Sequence, residues 1–128
     1  MSVQLEHANI TVSNPEATAK WLGDVFGWAV RWQGASINGG RSVHVGSDNS
    51  YLALYSPKDA PDQQSGSTYT STGGLNHLAV VVDDLDAVEA KVLKAGFKTG
   101  NHADYEPGRR FYFHDNDNID FEVVSYDK

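Results

Sequence analysis

The segments LEHANITV at residues 5–12 and LNHLAVVV at residues 75–82 are two copies of one pattern, and they decide the fold. Each copy begins with Leu-x-His, and the two histidines, His7 and His77, are separated by a fixed interval (77 − 7 = 70). Apolar and β-branched residues dominate both copies, which predicts a strand in each. Because self-similarity at a fixed period indicates a repeated structural unit, the chain is interpreted as two related modules.

A helical pattern follows each of these strands. Each helical pattern begins with residues that favour the start of a helix. These are Asn14 and Pro15 in the first module, and Asp83 and Asp84 in the second. Apolar residues then recur at helical spacing until Gly27 in the first module and Gly96 in the second. The pattern predicts helices near 15–26 and 84–95.

After each helix the apolar residues form short β-rich runs, which predict three further strands per module. The runs are 28–33, 42–45, 51–55, 97–101, 110–114 and 119–125. Each half therefore has the order β-α-β-β-β. We predict one domain over residues 1–128, with module 1 at about 3–56, a polar linker at about 57–73 and module 2 at about 74–126. Modules of this size bury little surface alone, so they should pair into one eight-stranded sheet with the helices outside.

Composition excludes several classes of function. Lys and Arg number 10 against 17 Asp and Glu, for a net charge of −7, so binding to a nucleic-acid backbone is not expected. The chain contains no Cys, so a metal must be held by His, carboxylate or water. The first residues have neither a basic nor an apolar signal region, and no window approaches the ~20 apolar residues of a membrane span. We therefore expect a cytoplasmic protein with no membrane partner.

Strand parity predicts which side chains share a face. Ala8, Ile10 and Val12 form the apolar side of the first strand, which leaves His7 on the opposite side. The same alternation places His77 and Glu122 on the face away from the helices, so the three groups can converge. When the last strands of the two modules are superposed (122 − 53 = 69), Ala53 stands where the second module has Glu122. Two imidazoles and one carboxylate leave open positions on a metal, as catalysis requires.

The chain resembles the vicinal oxygen chelate superfamily, which includes glyoxalase I, bleomycin-resistance proteins, fosfomycin-resistance enzymes and extradiol dioxygenases. The resemblance covers about residues 4–126. It rests on His7 and on three runs: GLNHLAVVVDDLD at 74–86, YLAL at 51–54 and DNDNIDFE at 115–122. The resemblance implies an α+β fold in which two βαβββ modules form one eight-stranded, strongly curved mixed sheet with helices on the outside.

The resemblance also implies a metal site. His7, His77 and Glu122 match three of the family's ligand positions, and Ala53 stands where glyoxalase I has a fourth ligand. A His-His-Glu set without that ligand is similar to the iron site of extradiol dioxygenases. Fe(II) is therefore expected, with Mn(II), Ni(II) or Zn(II) as alternatives. Asn118 replaces the usual Gly of the family's closing turn, and Asn116 the usual Pro, so a different turn geometry is expected.

The expected function is that of a metal-dependent enzyme acting on a small molecule with two adjacent oxygens. Dioxygenase-like chemistry ranks above isomerase or lyase chemistry of the glyoxalase kind. The alternative is a non-catalytic protein that binds or sequesters a small molecule, as the bleomycin-resistance branch does. Small members of the family are usually homodimers, so a homodimer is expected here.

Further residues are candidates for the same face. Tyr112 and His114 are predicted as catalytic acids or bases, with His44 ranked below them. His102 is predicted to lie exposed in a loop. The helical spacing of Trp21 predicts that its side chain lies in the core. Trp28 and Trp32 could each lie in the core, in the cleft or at a subunit interface, and the sequence leaves these alternatives open.

Overall fold

A computed structural model describes residues 2–126; Met1 and residues 127 and 128 at the ends of the predicted domain lie outside the described residues. The strands are β1 (His7–Thr11), β2 (Ala29–Ala35), β3 (Arg41–Gly46), β4 (Tyr51–Ser56), β5 (Leu78–Val81), β6 (Thr99–Tyr105), β7 (Gly108–His114) and β8 (Asp120–Ser125). The α-helices are α1 (Pro15–Phe26) and α2 (Leu85–Lys94). The predicted β-α-β-β-β order is confirmed in both halves.

Hydrogen bonds join the strands as two four-stranded sheets, in the orders β1-β4-β3-β2 and β5-β8-β7-β6. In each sheet the first and last strands of the module are parallel neighbours, and the other pairs are antiparallel. The predicted α+β class with two βαβββ modules is confirmed, and its eight strands are paired as four and four rather than as a continuous ladder of eight. The chain divides into two compact units between Gln63 and Gln64, inside the predicted linker.

Local signals account for both helices. The Asn14 side chain accepts a hydrogen bond from the Ala17 N–H at 3.1 Å, and Asp84 accepts one from Ala87 at 3.0 Å. Gly27 ends α1 in the left-handed region at φ 73°, where a residue without a Cβ is favoured. No helix in the described residues is long and apolar enough to cross a membrane.

Each module has its own core. In the first, α1 packs on β3 and β4, and Trp21 is 7% exposed, which confirms its predicted place in the core. In the second, the stacked rings of Phe113 and Phe121 lie 5.3 Å apart beside the fully buried Phe111. Dispersion and apolar burial among these side chains hold each sheet against its helix.

The turn before β8 positions the last strand of the second module. One Asp115 carboxylate oxygen accepts the backbone N–H groups of Asp117 and Ile119 at 2.9 and 3.0 Å. Asn118 lies in the left-handed region at φ 61°. Asn tolerates this region better than most residues with a Cβ, which explains how the turn forms without Gly.

His102 was predicted in a loop, and that prediction is wrong, because His102 lies within β6. Gly100 and Asn101 resemble turn residues in the sequence, but the structure uses them in an irregularity of the β6–β7 register, with Asn101 at φ 52°. The strand then continues past them. The predicted exposure is confirmed, since the His102 side chain is 55% exposed.

Helix α2 and strand β6 are joined by a small polar cluster. Glu89 accepts hydrogen bonds on one carboxylate oxygen from the Thr99 hydroxyl and from His102 Nε2 at 2.6 Å. Burial raises the pKa of Glu89, but these hydrogen bonds outweigh it and leave the pKa below its usual value of 4.5.

Replacing Asn118 tests the turn. Asn118→Gly should keep or raise the free energy of unfolding, whereas Asn118→Ala should lower it by about 1 kcal/mol, because Ala is strained in the left-handed region. Denaturation with urea, monitored by circular dichroism, measures both variants. Equal losses in the two variants would show that the Asn118 side chain, rather than its backbone conformation, stabilises the turn.

Replacing Glu89 by Gln should cost about 1 kcal/mol of unfolding free energy at pH 7, and the cost should disappear in acid. The lowered pKa of folded Glu89 means that its stabilisation is fully present above the unfolded value and is lost as the pH falls through the folded value. Thermal unfolding from pH 3 to pH 7 checks this. Asp24→Asn, which breaks the exposed Lys20–Asp24 pair, is the control and should change little. A pH-independent loss in Glu89→Gln would contradict the account.

Candidate functional site

Glu122 lies at the centre of the second module's sheet and is only 8% exposed. It stands beside Ala79 of β5 on one side and Tyr112 of β7 on the other. A buried carboxylate requires partners, and Glu122 has one for each oxygen. His77 Nε2 lies 3.0 Å from Oε1, and Arg110 Nη1 donates to Oε2 at 3.0 Å. The structure therefore brings together two of the three predicted metal ligands, His77 and Glu122.

The His77–Glu122 geometry fits a pair of metal ligands. Two ligand atoms that each stand about 2.1 Å from an ion, at right angles, are about 3.0 Å apart. The observed separation between His77 Nε2 and Glu122 Oε1 is 3.0 Å. An imidazole with a carboxylate is also a donor set that suits divalent iron, manganese, nickel or zinc. In residues 2–126, no cluster of three or more His, Asp or Glu side chains is arranged to hold an ion by itself.

His7 lies in the first module and has its own partners there. Its Nδ1 is 2.9 Å from Glu6 Oε1, and its ring stacks on Tyr51 with a centroid distance of 4.8 Å. The hydrogen bond with His7 is the main cause that lowers the pKa of Glu6. A carboxylate only accepts, so the proton of the neutral imidazole resides on Nδ1. Nε2 then carries the lone pair that a metal requires.

The strand registers reproduce the repeat residue by residue. In the first module Ala53 pairs with Asn9 and His44, and in the second Glu122 pairs with Ala79 and Tyr112. Ala53 therefore occupies the position of Glu122, as the sequence predicted. The registers also make His44 the counterpart of Tyr112, which sequence analysis did not recognise.

Tyr112 is the predicted catalytic residue that lies nearest the His77–Glu122 pair in the strand register. Its ring meets His77 edge to face at 5.7 Å. Burial raises the pKa of Tyr112, and the neighbouring Glu122 carboxylate raises it further. Tyr112 is therefore protonated at neutral pH and can donate a hydrogen bond or a proton.

His114, the other predicted catalytic residue, has different surroundings. It pairs with Asp120 in the strand register, and its Nε2 lies 4.0 Å from Asp120 Oδ2. The His114 side chain is 54% exposed. Its partner is thus Asp120 rather than Glu122.

The first module presents a row of rings, one from each of its four strands. Trp32 and His44 are 5.0 Å apart, and His44 and Tyr51 are 4.8 Å apart, while His7 completes the row. The Arg31 guanidinium lies 4.4 Å from the Tyr51 ring. A register shift between Val30 and Trp32 inserts Arg31 as an extra residue, so simple alternation along β2 does not hold as far as Trp32.

Trp28 has a separate environment. It is half-buried and packs against Phe26 of α1 at 5.2 Å. The two tryptophans that the sequence left open are therefore distinct: Trp28 packs beside the helix end, and half-exposed Trp32 contacts His44.

Ionisation of Tyr112 tests the electrostatics of this face. Replacing Glu122 by Gln removes the nearby negative charge, so the pKa of Tyr112 should fall towards 10 while staying above it because burial remains. Ultraviolet difference titration measures this, with Tyr112→Phe identifying the signal. An unchanged Tyr112 titration in Glu122→Gln would contradict the proximity of the two groups.

A model of the glyoxalase/bleomycin resistance protein/dioxygenase superfamily matches residues 4–123. A glyoxylase/bleomycin resistance protein/dioxygenase domain from Frankia sp. EAN1pec is 21% identical, with 98% of each chain covered and a TM-score of 0.81. A search of the curated proteins found no match.

Two fosfomycin resistance proteins named FosX also have the same fold. The protein from Mesorhizobium loti is 23% identical, with 97% of this chain and 92% of that chain covered and a TM-score of 0.73. The protein from Listeria monocytogenes, solved with Mn(II) and a sulfate ion, is 19% identical, with 98% and 93% covered and a TM-score of 0.73.

Proposed function

Because the chain belongs to the glyoxalase/bleomycin resistance protein/dioxygenase superfamily, we propose that it is a metal-dependent enzyme acting on a small molecule with two adjacent oxygens. The observation that carries the proposal is the 3.0 Å approach of His77 Nε2 to the buried Glu122 carboxylate. Both groups lie on a sheet face with Tyr112 and Arg110, where a substrate oxygen and a proton donor can be brought together.

His7 is proposed as the third ligand. Its support is the repeat, since His7 and His77 occupy matched positions at the start of matched strands, and the Glu6 hydrogen bond leaves Nε2 of His7 with a lone pair. Ala53, which is 2% exposed, supplies no fourth ligand. Three protein ligands leave positions for substrate oxygens.

The residues of the second module have distinct proposed roles. When bound, a divalent metal supplies a Lewis acid that withdraws charge from substrate oxygens. Arg110 orients Glu122 through Oε2, which leaves Oε1 beside His77 Nε2. Tyr112 is proposed to donate a proton to a developing oxyanion, and His114 to exchange protons with solvent.

Fe(II) with dioxygenase-like chemistry is preferred, because Ala53 cannot bind a metal at the position where glyoxalase I has its fourth ligand. Isomerase or lyase chemistry with Mn(II), Ni(II) or Zn(II) ranks second, and the FosX protein from Listeria monocytogenes is a relative in fold that binds Mn(II). We further propose that the protein is a cytoplasmic homodimer whose partner is a small-molecule substrate.

A second candidate function is non-catalytic binding of a small molecule. The observation that favours it is the ring row of the first module, where Trp32 is 50% exposed beside His44. An exposed indole offers a planar surface on which an aromatic ligand can stack.

Metal analysis of the purified protein separates these functions. Protein prepared without a tag under anaerobic conditions should contain near one equivalent of a first-row transition metal per chain, measured by mass spectrometry. His77→Ala and Glu122→Gln should each weaken metal retention at least tenfold, because removal of one ligand breaks the set.

His102→Ala is the matched control, since it removes an imidazole that binds Glu89 on α2 rather than Glu122. It should keep the metal of the wild type. If wild type and variants are equally metal-free after reconstitution with each of the four metals, the enzyme proposal fails. Ligand binding that chelators do not affect would then support the binding protein.

A further inference from the structure

Arg110 uses only part of its hydrogen-bonding capacity. Its Nη1 donates to Glu122, but Nε and Nη2 are buried and have no hydrogen-bond partner among the described residues. The side chain as a whole is 15% exposed. Buried donors of a guanidinium are normally satisfied, so two unpaired donors on one group indicate a missing partner.

The two unpaired donors lie on the same edge of the guanidinium. The N–H of Nε and one N–H of Nη2 point in parallel from the side of the planar group, whereas Nη1 stands on the other side. This parallel pair matches the spacing of the two oxygens of a carboxylate, which it binds through two hydrogen bonds. The edge left free is thus the one shaped for a planar anion with two oxygens.

One aromatic neighbour of the guanidinium is itself exposed. The ring of Tyr105 lies 5.2 Å from the guanidinium carbon, at the end of β6. Tyr105 is itself 63% exposed, so its ring can rotate away without unpacking the core. Movement of this ring would open the Arg110 guanidinium to a ligand.

Charge balance favours an anion at this place once a cation is bound. Glu122 and Arg110 neutralise each other in the pair as it stands. A divalent ion at His77 and Glu122 would make the cluster positive by about two charges, and its charges are largely buried, where attraction is screened less than at the surface. The acidic charge of the whole chain does not oppose this, because surface charges at a distance are screened by salt.

We propose that Arg110 is a specificity-determining residue that binds a carboxylate of the substrate through its Nε and Nη2 edge. The inference rests on the proposed function and narrows it: the substrate class is a small molecule that carries a carboxylate in addition to two adjacent oxygens. Arg110 thereby orients the substrate beside the ligand Glu122, to which it is already bonded.

Two isosteric probes test the proposal on the Mn(II)-loaded protein. 3,4-Dihydroxybenzoate and 3,4-dihydroxybenzamide share the same adjacent oxygens and differ in the carboxylate alone, and benzoate carries the carboxylate alone. Dissociation constants are measured by calorimetry with and without metal. Wild type should bind the carboxylate probe at least tenfold more tightly than the amide.

The variants are Arg110→Met, Arg110→Lys and the control Arg109→Met. Arg109 is the neighbouring cation, and it pairs with Asp86 on the other side of the strand. The preference for the carboxylate should vanish in Arg110→Met and remain in Arg109→Met. Arg110→Lys keeps a charge beside Glu122 but lacks the parallel donors, so it should fold normally and lose most of the preference.

The outcomes separate this inference from the proposed function. Equal affinity of wild type for the two dihydroxy probes, both requiring metal, overturns the role of Arg110 and leaves the metal site standing. Benzoate binding that needs Arg110 but no metal, with no metal-dependent binding of either dihydroxy probe, supports Arg110 and removes the metal enzyme. A full preference retained in Arg110→Lys overturns the two-donor geometry.

Discussion

The parallel pairing of the first and last strands within each module is the constraint on which the rest of the structure depends. In the second module it aligns Ala79 of β5 with Glu122 of β8. Parallel neighbours require a crossover, which α2 begins, and the helix covers one face of the sheet. Glu122 therefore belongs to the opposite face, together with His77. A slip of one residue in this pairing would turn Glu122 towards the helix and bring Phe121 to the polar side.

Burial of the Glu122 carboxylate explains the chemistry of that face. An isolated charge at 8% exposure would be costly, and the cost is met by His77 on one oxygen and Arg110 on the other. The first module has Ala53 at this position and needs no such partners, so its face is built from stacked rings instead. One repeated backbone thus carries two different surfaces, one ionic and one aromatic.

The two helices, the strand order and the face on which Glu122 lies could be predicted from sequence, because capping residues and side-chain alternation are local signals. Parity along β8 was sufficient to place Glu122 on the polar face. The pairing of Arg110 with Glu122 was not predictable, since parity assigns a face but neither a rotamer nor a partner. Irregular strands are harder to predict: turn-like residues at the irregularity of β6 led to the wrong loop assignment of His102, and a register shift in β2 lies next to Trp32, which the sequence left open. The role of His7 as a metal ligand remains a prediction from the repeat.

The central claim is that His77 and Glu122 are neighbouring ligands of one metal ion. Crystals grown with Mn(II) and measured at a wavelength that gives anomalous scattering from manganese test it most directly. The account predicts an anomalous peak within about 2.3 Å of both His77 Nε2 and Glu122 Oε1, with Arg110 still bonded to the other carboxylate oxygen. A crystal with no peak at this pair, in which His77 Nε2 and Glu122 Oε1 still lie about 3.0 Å apart under saturating Mn(II), would contradict the account.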